Sequence, residues 1–557
     1  MSFAIKRRTF FLLSILLIIT ACSEQNVNTV GSQTEIDQQN NRPNILLIVA
    51  DDLGYADLGI YGSEIPTPNL DSLATNGMLL TDFYASMTCS PTRSMLMSGT
   101  DNHLAGLGVM TGPTNEAHMN QPGYAGYLNY RVASMADLMS DAGYNTYMTG
   151  KWHLGMDVEN GAHARGFQKS FVSLDGAAHL GGWDWRGPQP ANYRDGDELV
   201  QVEDDFYSTR FYTEKMLEYI DGDSDDSNPF FAYLAYTAPH WPLQAPKASI
   251  ERFRGLYDEG YEALYLSRFE RLKELGHIPE SAEPMSMDVF NPRWADQPDE
   301  EKAFAARRME IYAAMVNDLD TYVGQVINYL KGIGEFDNTF IMFMSDNGAE
   351  STRRDLTPSI AQHIGTAYDH SLDNLGASNS YVMYGANWAT ASAAPWRRHK
   401  FTGFEGGIHV PAFVHHPSLV EAGTHSGGFS SVMDVLPTFL ALAGTTHPGT
   451  SYRGIEIEPV KGKSMLPLIS GEATEIYTED DYMGWELFGQ RGVRQGDWKI
   501  VWDITQGDDA HWMLFNLTND ISEQNDLSIE RPDKLTEMIS LWERYEEDNG
   551  IIYVYPE

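Results

Sequence analysis

The amino-acid sequence predicts an α/β protein, with a large, mostly parallel sheet sandwiched by helices and a smaller C-terminal α+β domain. Short apolar runs alternate with helical patterns along most of the chain, which is typical of a parallel sheet covered by helices. Beyond about residue 444, shorter alternating segments replace this pattern. A chain of 557 residues with 42% hydrophobic content can bury two such cores.

Four apolar runs are predicted to be strands of the large sheet. Residues 44–50 and 339–344 fit strands that are buried on both faces, and residues 144–148 and 230–236 are two further candidates. In open α/β sheets, ligands bind beyond the carboxyl ends of the strands. All four runs are followed by polar or charged residues, which we therefore expect to gather at one edge of the sheet.

Other segments are predicted to surround this sheet. Residues 301–330 place their apolar side chains on one face of a long amphipathic helix, which we interpret as core packing. The acidic segment 221–226 is predicted to be a solvated loop, and residues 257–298 are predicted to be an insertion that borders the pocket. Together with the change of pattern near residue 444, this divides the chain into a large domain at residues 42–443 and an α+β subdomain at residues 444–557.

The N-terminus has the features of an export signal. Three basic residues precede an apolar stretch at residues 10–19 that is too short to span a membrane comfortably. The stretch ends in ITAC, which resembles the bacterial lipobox. We therefore expect a lipoprotein signal peptide at residues 1–21, a lipid anchor at Cys22, a flexible tether at residues 22–41, and attachment to a bacterial membrane, either at the outer membrane or facing the periplasm. An ordinary signal peptide or an uncleaved anchor is the alternative.

Charge and cysteine content narrow the functional classes. The formal net charge of -40 makes binding to nucleic acid or to an anionic bilayer through a basic surface unfavourable, and indicates a soluble acidic enzyme. Two cysteines in an exported chain would normally indicate a disulfide. If Cys22 carries lipid, however, Cys89 has no partner, and it is either an inert buried thiol or a site of chemistry.

Two pairs of oxygen-bearing side chains suggest a metal site. Asp51 and Asp52 end the first strand, and Asp346 and Asn347 end the strand at residues 339–344. Such ligands suit a hard cation, and calcium tolerates this mixed set better than magnesium does. An Asp-Asp pair alone is weak evidence because many turns contain one. The second pair, on another strand end, strengthens the prediction of one calcium ion.

The run CSPTR at residues 89–93 is predicted to start a helix, because Pro91 falls near its first turn. The dipole and free N–H groups at a helix N-terminus favour anions. The run and its continuation to Gly99 resemble the signature of the type I sulfatases, Cys-x-Pro-x-Arg with a small-residue and glycine ending. The resemblance extends from about Pro43 to the C-terminus. It implies an alkaline phosphatase/sulfatase-like fold and oxidation of Cys89 to formylglycine (3-oxoalanine) by a dedicated maturase.

The implied aldehyde suits the chemistry of ester cleavage. In its hydrated form it has one hydroxyl that attacks sulfur and a second whose deprotonation later expels sulfate, so that no water has to attack a covalent ester. A sulfate monoester carries a single negative charge that spreads over its oxygens as the bond breaks. Arg93, Lys151, Lys400 and calcium are expected to form a cationic clamp for it.

Three further motifs resemble those of the family. GKWHLG at residues 150–155 contains Lys151 and His153, APHWP at residues 238–242 contains His240, and FEGGIHVP at residues 404–411 follows Lys400. Taken alone, Lys151 and His153 could be surface residues and His240 a core residue. The resemblance implies that His153 takes the proton from the second hydroxyl. His240, with a near-neutral pKa, is expected to act as the general acid. The resemblance also implies that Asp346, bound to the metal, orients or deprotonates the attacking hydroxyl.

A few residues near these motifs could have either a functional or a structural role. His103 and His118 follow Cys89 within about thirty residues and could line the pocket, but a structural role is favoured. Trp183, Trp185 and Arg186 in a glycine-rich loop could form a wall facing a sugar, or could simply pack within the loop.

The sequence predicts a sulfuric ester hydrolase closest in appearance to the bacterial arylsulfatases, on the strength of residues 52–108 and of GWELFG at residues 484–489. We expect aryl sulfate activity and, as natural substrates, sulfated carbohydrates that the enzyme attacks in an exo manner, as in polysaccharide degradation. A formylglycine-dependent phosphodiester or phosphonate monoester hydrolase is the nearest alternative. A non-catalytic glycan-binding lipoprotein on the same scaffold is a second alternative.

Overall fold

A ten-stranded sheet forms the centre of the molecule. The computed structural model describes residues 42–110, 112–174, 179–181, 191–224 and 226–553. The predicted signal peptide, Cys22 and the tether lie outside these residues, as do Trp183, Trp185 and Arg186. The strands of this sheet and of the smaller sheets, in chain order, are β1 (Asn44–Ala50), β2 (Met78–Leu80), β3 (Phe83–Tyr84), β4 (Asn145–Lys151), β5 (Lys169–Ser173), β6 (Tyr193–Asp195), β7 (Glu198–Val200), β8 (Phe230–Ala235), β9 (Thr339–Ser345), β10 (Ala412–His415), β11 (Thr424–Ser426), β12 (Ser430–Ser431), β13 (Ser451–Tyr452), β14 (Ile455–Glu456), β15 (Met483–Leu487), β16 (Gln490–Gln495), β17 (Trp498–Trp502) and β18 (Trp512–Asn516).

Helices cover the sheet, and short 3-10 turns join many of the elements. The α-helices are α1 (Pro68–Thr75), α2 (Cys89–Ser98), α3 (Met135–Asp141), α4 (Ser208–Gly222), α5 (Lys247–Ile250), α6 (Tyr261–Glu274), α7 (Asp299–Ile333), α8 (Pro358–Ala367), α9 (Ala386–Ser392), α10 (Glu405–Ile408), α11 (Val435–Leu442), α12 (Leu466–Ile469) and α13 (Pro532–Asn549). None of the helices in the described part of the chain is long and apolar enough to cross a membrane.

The large sheet has the order β11-β2-β10-β9-β1-β8-β4-β5-β6-β7. Its five central strands, from β9 to β5, are parallel, and antiparallel pairs flank them on both sides. The predicted α/β fold is thereby confirmed, and β1, β4, β8 and β9 are the four predicted strands. Ala50 pairs with Ser345, and Gly150 pairs with Ala235, so these strands end at one edge of the sheet.

Alternate residues of β1 supply two cores, because successive side chains of a strand point to opposite faces. Leu46 and Ile48 belong to the core that contains α7. Ile45, Leu47 and Val49 belong to the other core, which also contains apolar residues of α2. Burial on both faces explains why the strand is apolar throughout its centre.

The long helix α7 confirms the predicted amphipathic segment and extends it by a few residues at each end. Its first turn contains Asp299, Glu300 and Glu301, which the helix dipole favours. It ends at Gly334, whose φ of 79° provides the left-handed conformation of a C-cap. The acidic segment was predicted wrongly at its start, because α4 continues through residue 222. Asp223, just beyond it, binds Lys169 at 2.7 Å.

A second sheet of four antiparallel strands, β15 to β18, forms the predicted C-terminal α+β structure. Met538 and Trp542 of α13 pack against its apolar face. On the side of the large sheet, Trp485 donates a hydrogen bond from Nε1 to the carbonyl of Ala85 at 2.9 Å. The domain boundary between residues 443 and 444 stays a prediction.

A buried ion triplet connects the small sheet to the start of α10. Lys499 of β17 lies 2.6 Å from Glu405 and 2.9 Å from Glu523, and its side chain is fully buried. Glu405 begins α10, which follows the segment that carries Lys400. The small sheet therefore helps to hold that segment in position.

We expect Lys499→Met to lower the free energy of unfolding by about 3–5 kcal/mol, because it leaves two buried carboxylates without their cation. Chemical denaturation followed by fluorescence would measure the change. Lys534→Met is the control, since Lys534 pairs with the exposed Glu537 and its loss should cost at most about 1 kcal/mol. Equal stability of the two variants would contradict the role given to Lys499.

Candidate active site

The predicted site residues converge at the carboxyl end of the central strands. They are Asp51 and Asp52 after β1, Asp346 and Asn347 after β9, Lys151 and His153 at the end of β4, His240 after β8, Cys89 and Arg93 on α2, and Lys400 before α10. The shared edge of a parallel sheet explains this convergence.

Cys89 is the first residue of α2, as predicted. Thr88 before it is extended, and Gly99 ends the helix with a φ of 66°. The Cys89 thiol lies 3.3 Å from Asp51 Oδ1 and 3.7 Å from Asp52 Oδ1. Burial holds the pKa of this thiol well above its ordinary value, although the charges of Lys151 and Lys400 oppose the shift. The unmodified side chain is thus a neutral thiol.

The oxygen ligands proposed for a metal ion lie together. Asp346 Oδ1 accepts a hydrogen bond from the Asp52 backbone N–H at 3.2 Å, and Asn347 Nδ2 donates to Asp52 Oδ1 at 2.7 Å. One ligand atom each from Asp51, Asp52, Cys89 and His240 lies within 4.8 Å of the others. Among the described residues, Asp52 Oδ2 and Asn347 Oδ1 are buried without a hydrogen-bond partner. This set of buried oxygens fits a hard cation.

Two carboxylates of this cluster have pKa values that shift in opposite directions. Burial raises the pKa of Asp51, but the charges of Lys151 and of His240 outweigh it and hold the pKa well below the ordinary value. Burial raises the pKa of Asp52 to about 7 even though Lys400 opposes the shift. The neighbouring charges of Asp51, Glu350 and Asp346 raise the pKa of Asp52 further, because like charges disfavour its ionised form.

Arg93 is fully buried and binds Asp346. Its Nε and Nη2 lie 2.9 and 2.7 Å from Asp346 Oδ2. A further hydrogen bond, from Nη1 to the carbonyl of Lys151, measures 2.7 Å, and Tyr233 lies 3.4 Å from the same nitrogen. The guanidinium thus orients Asp346 and fixes the peptide that carries Lys151.

Two lysines neutralise the strand-end carboxylates. Lys151 Nζ lies 2.6 Å from Asp51, and Lys400 Nζ lies 2.7 Å from Asp52. Lys400 also lies 3.0 Å from Glu350, which is not part of any motif recognised in the sequence. Glu350 follows Asn347 by three residues on the same loop, and this short spacing was the one signal that could have indicated it.

His240 faces the cluster through Nε2, which lies 3.4 Å from Asp52 Oδ2. Its Nδ1 donates a hydrogen bond to the carbonyl of Trp241. Burial and the charge of Lys151 hold the pKa of His240 well below its usual value. The near-neutral pKa expected from the sequence is therefore wrong for the protein groups by themselves.

His153 is buried, and burial followed by the charge of Lys151 lowers its pKa well below the usual value. Its Nδ1 has no hydrogen-bond partner among the described residues. His153 and Asp52 have φ angles of 56° and 68°, which are uncommon for residues other than glycine. Such backbone strain persists where the surrounding structure enforces it, and functional sites are typical locations.

The other histidines considered lie outside this cluster. His103 is buried between Asp101 at 2.9 Å and Glu486 at 3.0 Å, so that it joins the loop after α2 to β15. His118 binds the carbonyl of Ile552 at 3.1 Å. Both have the structural role that was favoured. His179, which the sequence analysis missed, donates to the carbonyl of His240 at 2.8 Å and holds that segment.

Comparisons with known proteins identify the family of the chain. A sequence profile of the sulfatase family matches residues 43–445, and a profile of the C-terminal part of N-sulphoglucosamine sulphohydrolase matches residues 396–547. An uncharacterized sulfatase of Schizosaccharomyces pombe is 42% identical over 529 residues, which cover 92% of this chain and 95% of that protein. An arylsulfatase of Klebsiella aerogenes is 37% identical over 436 residues, which cover 77% and 92% of the two chains.

A solved structure is similar to this chain over most of its length. The crystal structure of Ps i-CgsB in complex with k-i-k-neocarrahexaose has a TM-score of 0.65 at 26% identity, with 91% of this chain and 93% of that chain covered. The fold and family expected from the sequence are confirmed. Because the family profile spans more than half of its length, the chain belongs to the sulfatase family, and its named sulfatase and arylsulfatase relatives support sulfate ester hydrolysis.

Proposed function

We propose that this sulfatase uses a formylglycine made from Cys89, together with one calcium ion, to hydrolyse sulfate monoesters of carbohydrates and of aryl alcohols. The observation that carries the proposal is the position of Cys89 Sγ, 3.3 Å from Asp51 in a cluster of buried acidic oxygens. The high pKa of the thiol makes unmodified Cys89 a poor nucleophile, because the thiolate is the reactive form. Hydrated formylglycine supplies a hydroxyl for attack and a second one for release of sulfate.

The cationic side chains stabilise the sulfate group in this mechanism. Lys151 uses one N–H on Asp51, and Lys400 uses two on Asp52 and Glu350. An ammonium has three N–H donors, so both lysines retain donors for an anion. Arg93 acts through Asp346, which it holds in place to orient or deprotonate the attacking hydroxyl.

The two histidines move protons. The low pKa of His153 keeps it neutral and able to accept a proton from the second hydroxyl. His240 donates a proton to the leaving oxygen in this proposal, and a bound sulfate ester would favour its charged form because opposite charges stabilise each other. Its Nδ1 bond to Trp241 directs Nε2 toward the cluster.

Asp51, Asp52, Asp346 and Asn347 would hold the calcium ion, together with the modified Cys89. Their hard oxygens and mixed geometry suit calcium better than magnesium. When bound, the ion contributes positive charge that stabilises the sulfate oxygens in the transition state.

Sulfated carbohydrates are the proposed natural substrates. The similar structure of Ps i-CgsB contains bound neocarrahexaose, which supports a saccharide substrate for this chain. The proposed export signal and lipid anchor at Cys22 would bring the enzyme to such glycans outside the cytoplasm, and the proposed maturase would act on Cys89. A phosphodiester or phosphonate monoester hydrolase remains the second candidate, because those substrates also carry a single negative charge.

Mass spectrometry of the peptide that contains Cys89 should find it lighter than the cysteine form by about 18 Da. Cys89→Ala should lower kcat by about a thousandfold or more, because the nucleophile is lost. Met97→Leu, a buried change of similar volume on the same helix, should stay within about twofold of the parent activity. Full activity of protein with an unmodified thiol would refute the proposed nucleophile.

Metal analysis of purified protein should find about one calcium ion per chain, and chelation should abolish turnover until calcium is restored. Asp52→Asn should lose the ion, because it removes a charged ligand. Asp137→Asn should keep it, since Asp137 pairs with Arg453 on the surface. Turnover by metal-free protein would exclude the proposed role of calcium.

Matched esters separate the two candidate activities. We expect kcat/KM for 4-nitrophenyl sulfate to exceed that for 4-nitrophenyl phenyl phosphate by at least about a hundredfold, because the named relatives are sulfatases and such a preference reflects differential binding of the transition states. Initial rates with both esters, measured on one preparation of matured enzyme, would decide. A higher efficiency on the phosphodiester would replace the sulfatase proposal by its alternative.

A further inference from the structure

A second cavity adjoins the candidate active site. It has a volume of about 290 Å³, near the lower end of the range for ligand pockets. Tyr261, Trp388 and Tyr384 form apolar parts of its wall, and Gln297 and Asn387 add amide groups. Apolar walls with a few polar groups are typical of ligand sites.

Two features connect this cavity to the catalytic cluster. Tyr384 also borders a small cavity that Asp52 and Glu350 line. Ser351, which lines the larger cavity, directly follows Glu350, and Glu350 lies 3.0 Å from Lys400. The two cavities thus share Tyr384 in their walls, which makes the larger cavity a neighbouring space for the rest of a saccharide bound by its sulfate at the cluster.

Arg308 lines the larger cavity and lacks a counter-charge in contact with it. Within the described part of the chain, its guanidinium has no hydrogen bond and no carboxylate oxygen within 4.0 Å. Its neighbour Arg307, by contrast, lies 2.9 Å from Glu310 and 3.1 Å from Glu251. The two adjacent arginines of α7 thus have different surroundings, since Arg307 forms ion pairs within the fold and Arg308 faces a cavity.

The remaining charges around the cavity do not neutralise Arg308 directly. Arg353 is held by Asp355 through two hydrogen bonds of 2.7 and 2.6 Å. Glu301 is exposed at the start of α7 and makes no ion pair with Arg308. Burial, with the charge of Arg353, lowers the pKa of Arg308 to about 10, although the more distant charges of Asp355 and Glu301 oppose the shift, and Arg308 stays positive at neutral pH. A partly buried charge without a partner is unfavourable, and a bound anion would relieve that cost.

We propose that this cavity binds a second anionic group of the substrate, either a sulfate or a carboxylate on the saccharide, and that Arg308 is its specificity-determining residue. The inference rests on the proposed function and narrows the substrate to saccharides with at least two negative charges. An arginine pairs with either group through two parallel hydrogen bonds. Its charge, which no carboxylate contacts among the described residues, also favours an anionic substrate locally, against the net charge of -40 on the whole chain.

Competition against 4-nitrophenyl sulfate turnover tests this proposal without requiring that the competitor be hydrolysed. Three competitors are compared: N-acetylgalactosamine 6-sulfate carries one negative charge, whereas N-acetylgalactosamine 4,6-disulfate and the chondroitin 6-sulfate disaccharide carry two, the second being a sulfate in the former and a carboxylate in the latter. At least one of the doubly charged saccharides should have a Ki about tenfold below that of the singly charged one. The saccharide with the lower Ki identifies the second group as sulfate or carboxylate.

Arg308→Met should remove this advantage, raising the Ki of the preferred saccharide about tenfold while kcat/KM for 4-nitrophenyl sulfate stays within about twofold. Arg308→Lys should keep part of the advantage because it retains the charge. Arg308→Met should also match or exceed the parent melting temperature, since it removes an unpaired charge. Arg307→Met is the matched control, with a lower melting temperature and unchanged Ki ratios.

The inference is overturned if Arg308→Met leaves the Ki ratios unchanged, or if it changes all three values alike. It is also overturned if the parent enzyme binds the three saccharides equally. Failure of the proposed function would be visible separately, as absence of 4-nitrophenyl sulfate turnover in matured parent protein.

Discussion

The charge buried at the carboxyl end of the large sheet is the constraint on which the rest of the site depends. Asp51, Asp52 and Asp346 are each at most 1% exposed, and carboxylates so close together repel one another unless positive charge lies among them. Lys151 and Lys400 provide that charge from positions 100 and 348 residues away from their partners in sequence. Parallel strands make this possible because they deliver distant segments to one edge.

The segment that carries Lys400 is anchored to three neighbouring parts of the structure. The Lys400 backbone N–H donates to the carbonyl of Ala349 at 3.0 Å, and the next residue, Phe401, donates to Met87 at 2.9 Å. Glu405, slightly further along, is held by Lys499 of the small sheet. The lysine is therefore fixed by the loop after β9, by the segment before α2 and by the C-terminal sheet. The small sheet thus helps to keep the charge of Lys400 next to the carboxylates at the edge of the large sheet.

Sequence patterns predicted most of the scaffold, because buried parallel strands are apolar and their ends are abruptly polar. The start of α2 at Cys89 was also predictable, since Pro91 restricts the first turn. Pairings between distant residues were not, since nothing in the local pattern relates Lys400 to Glu350 or Arg93 to Tyr233. The low pKa of His240 escaped prediction for the same reason: it depends on burial and on Lys151, which only the tertiary structure brings close.

The net charge of the cluster affects the binding of both the metal ion and the anionic substrate. Four carboxylates, those of Asp51, Asp52, Asp346 and Glu350, face the cations Arg93, Lys151 and Lys400. With all of these ionised, the cluster has a net charge of minus one, which disfavours a sulfate ester and agrees with the raised pKa of Asp52. A divalent cation would change the net charge to plus one, which matches a singly charged ester. Metal binding and substrate binding are thus expected to be coupled through charge, and the extra anion proposed near Arg308 would need a counter-charge of its own.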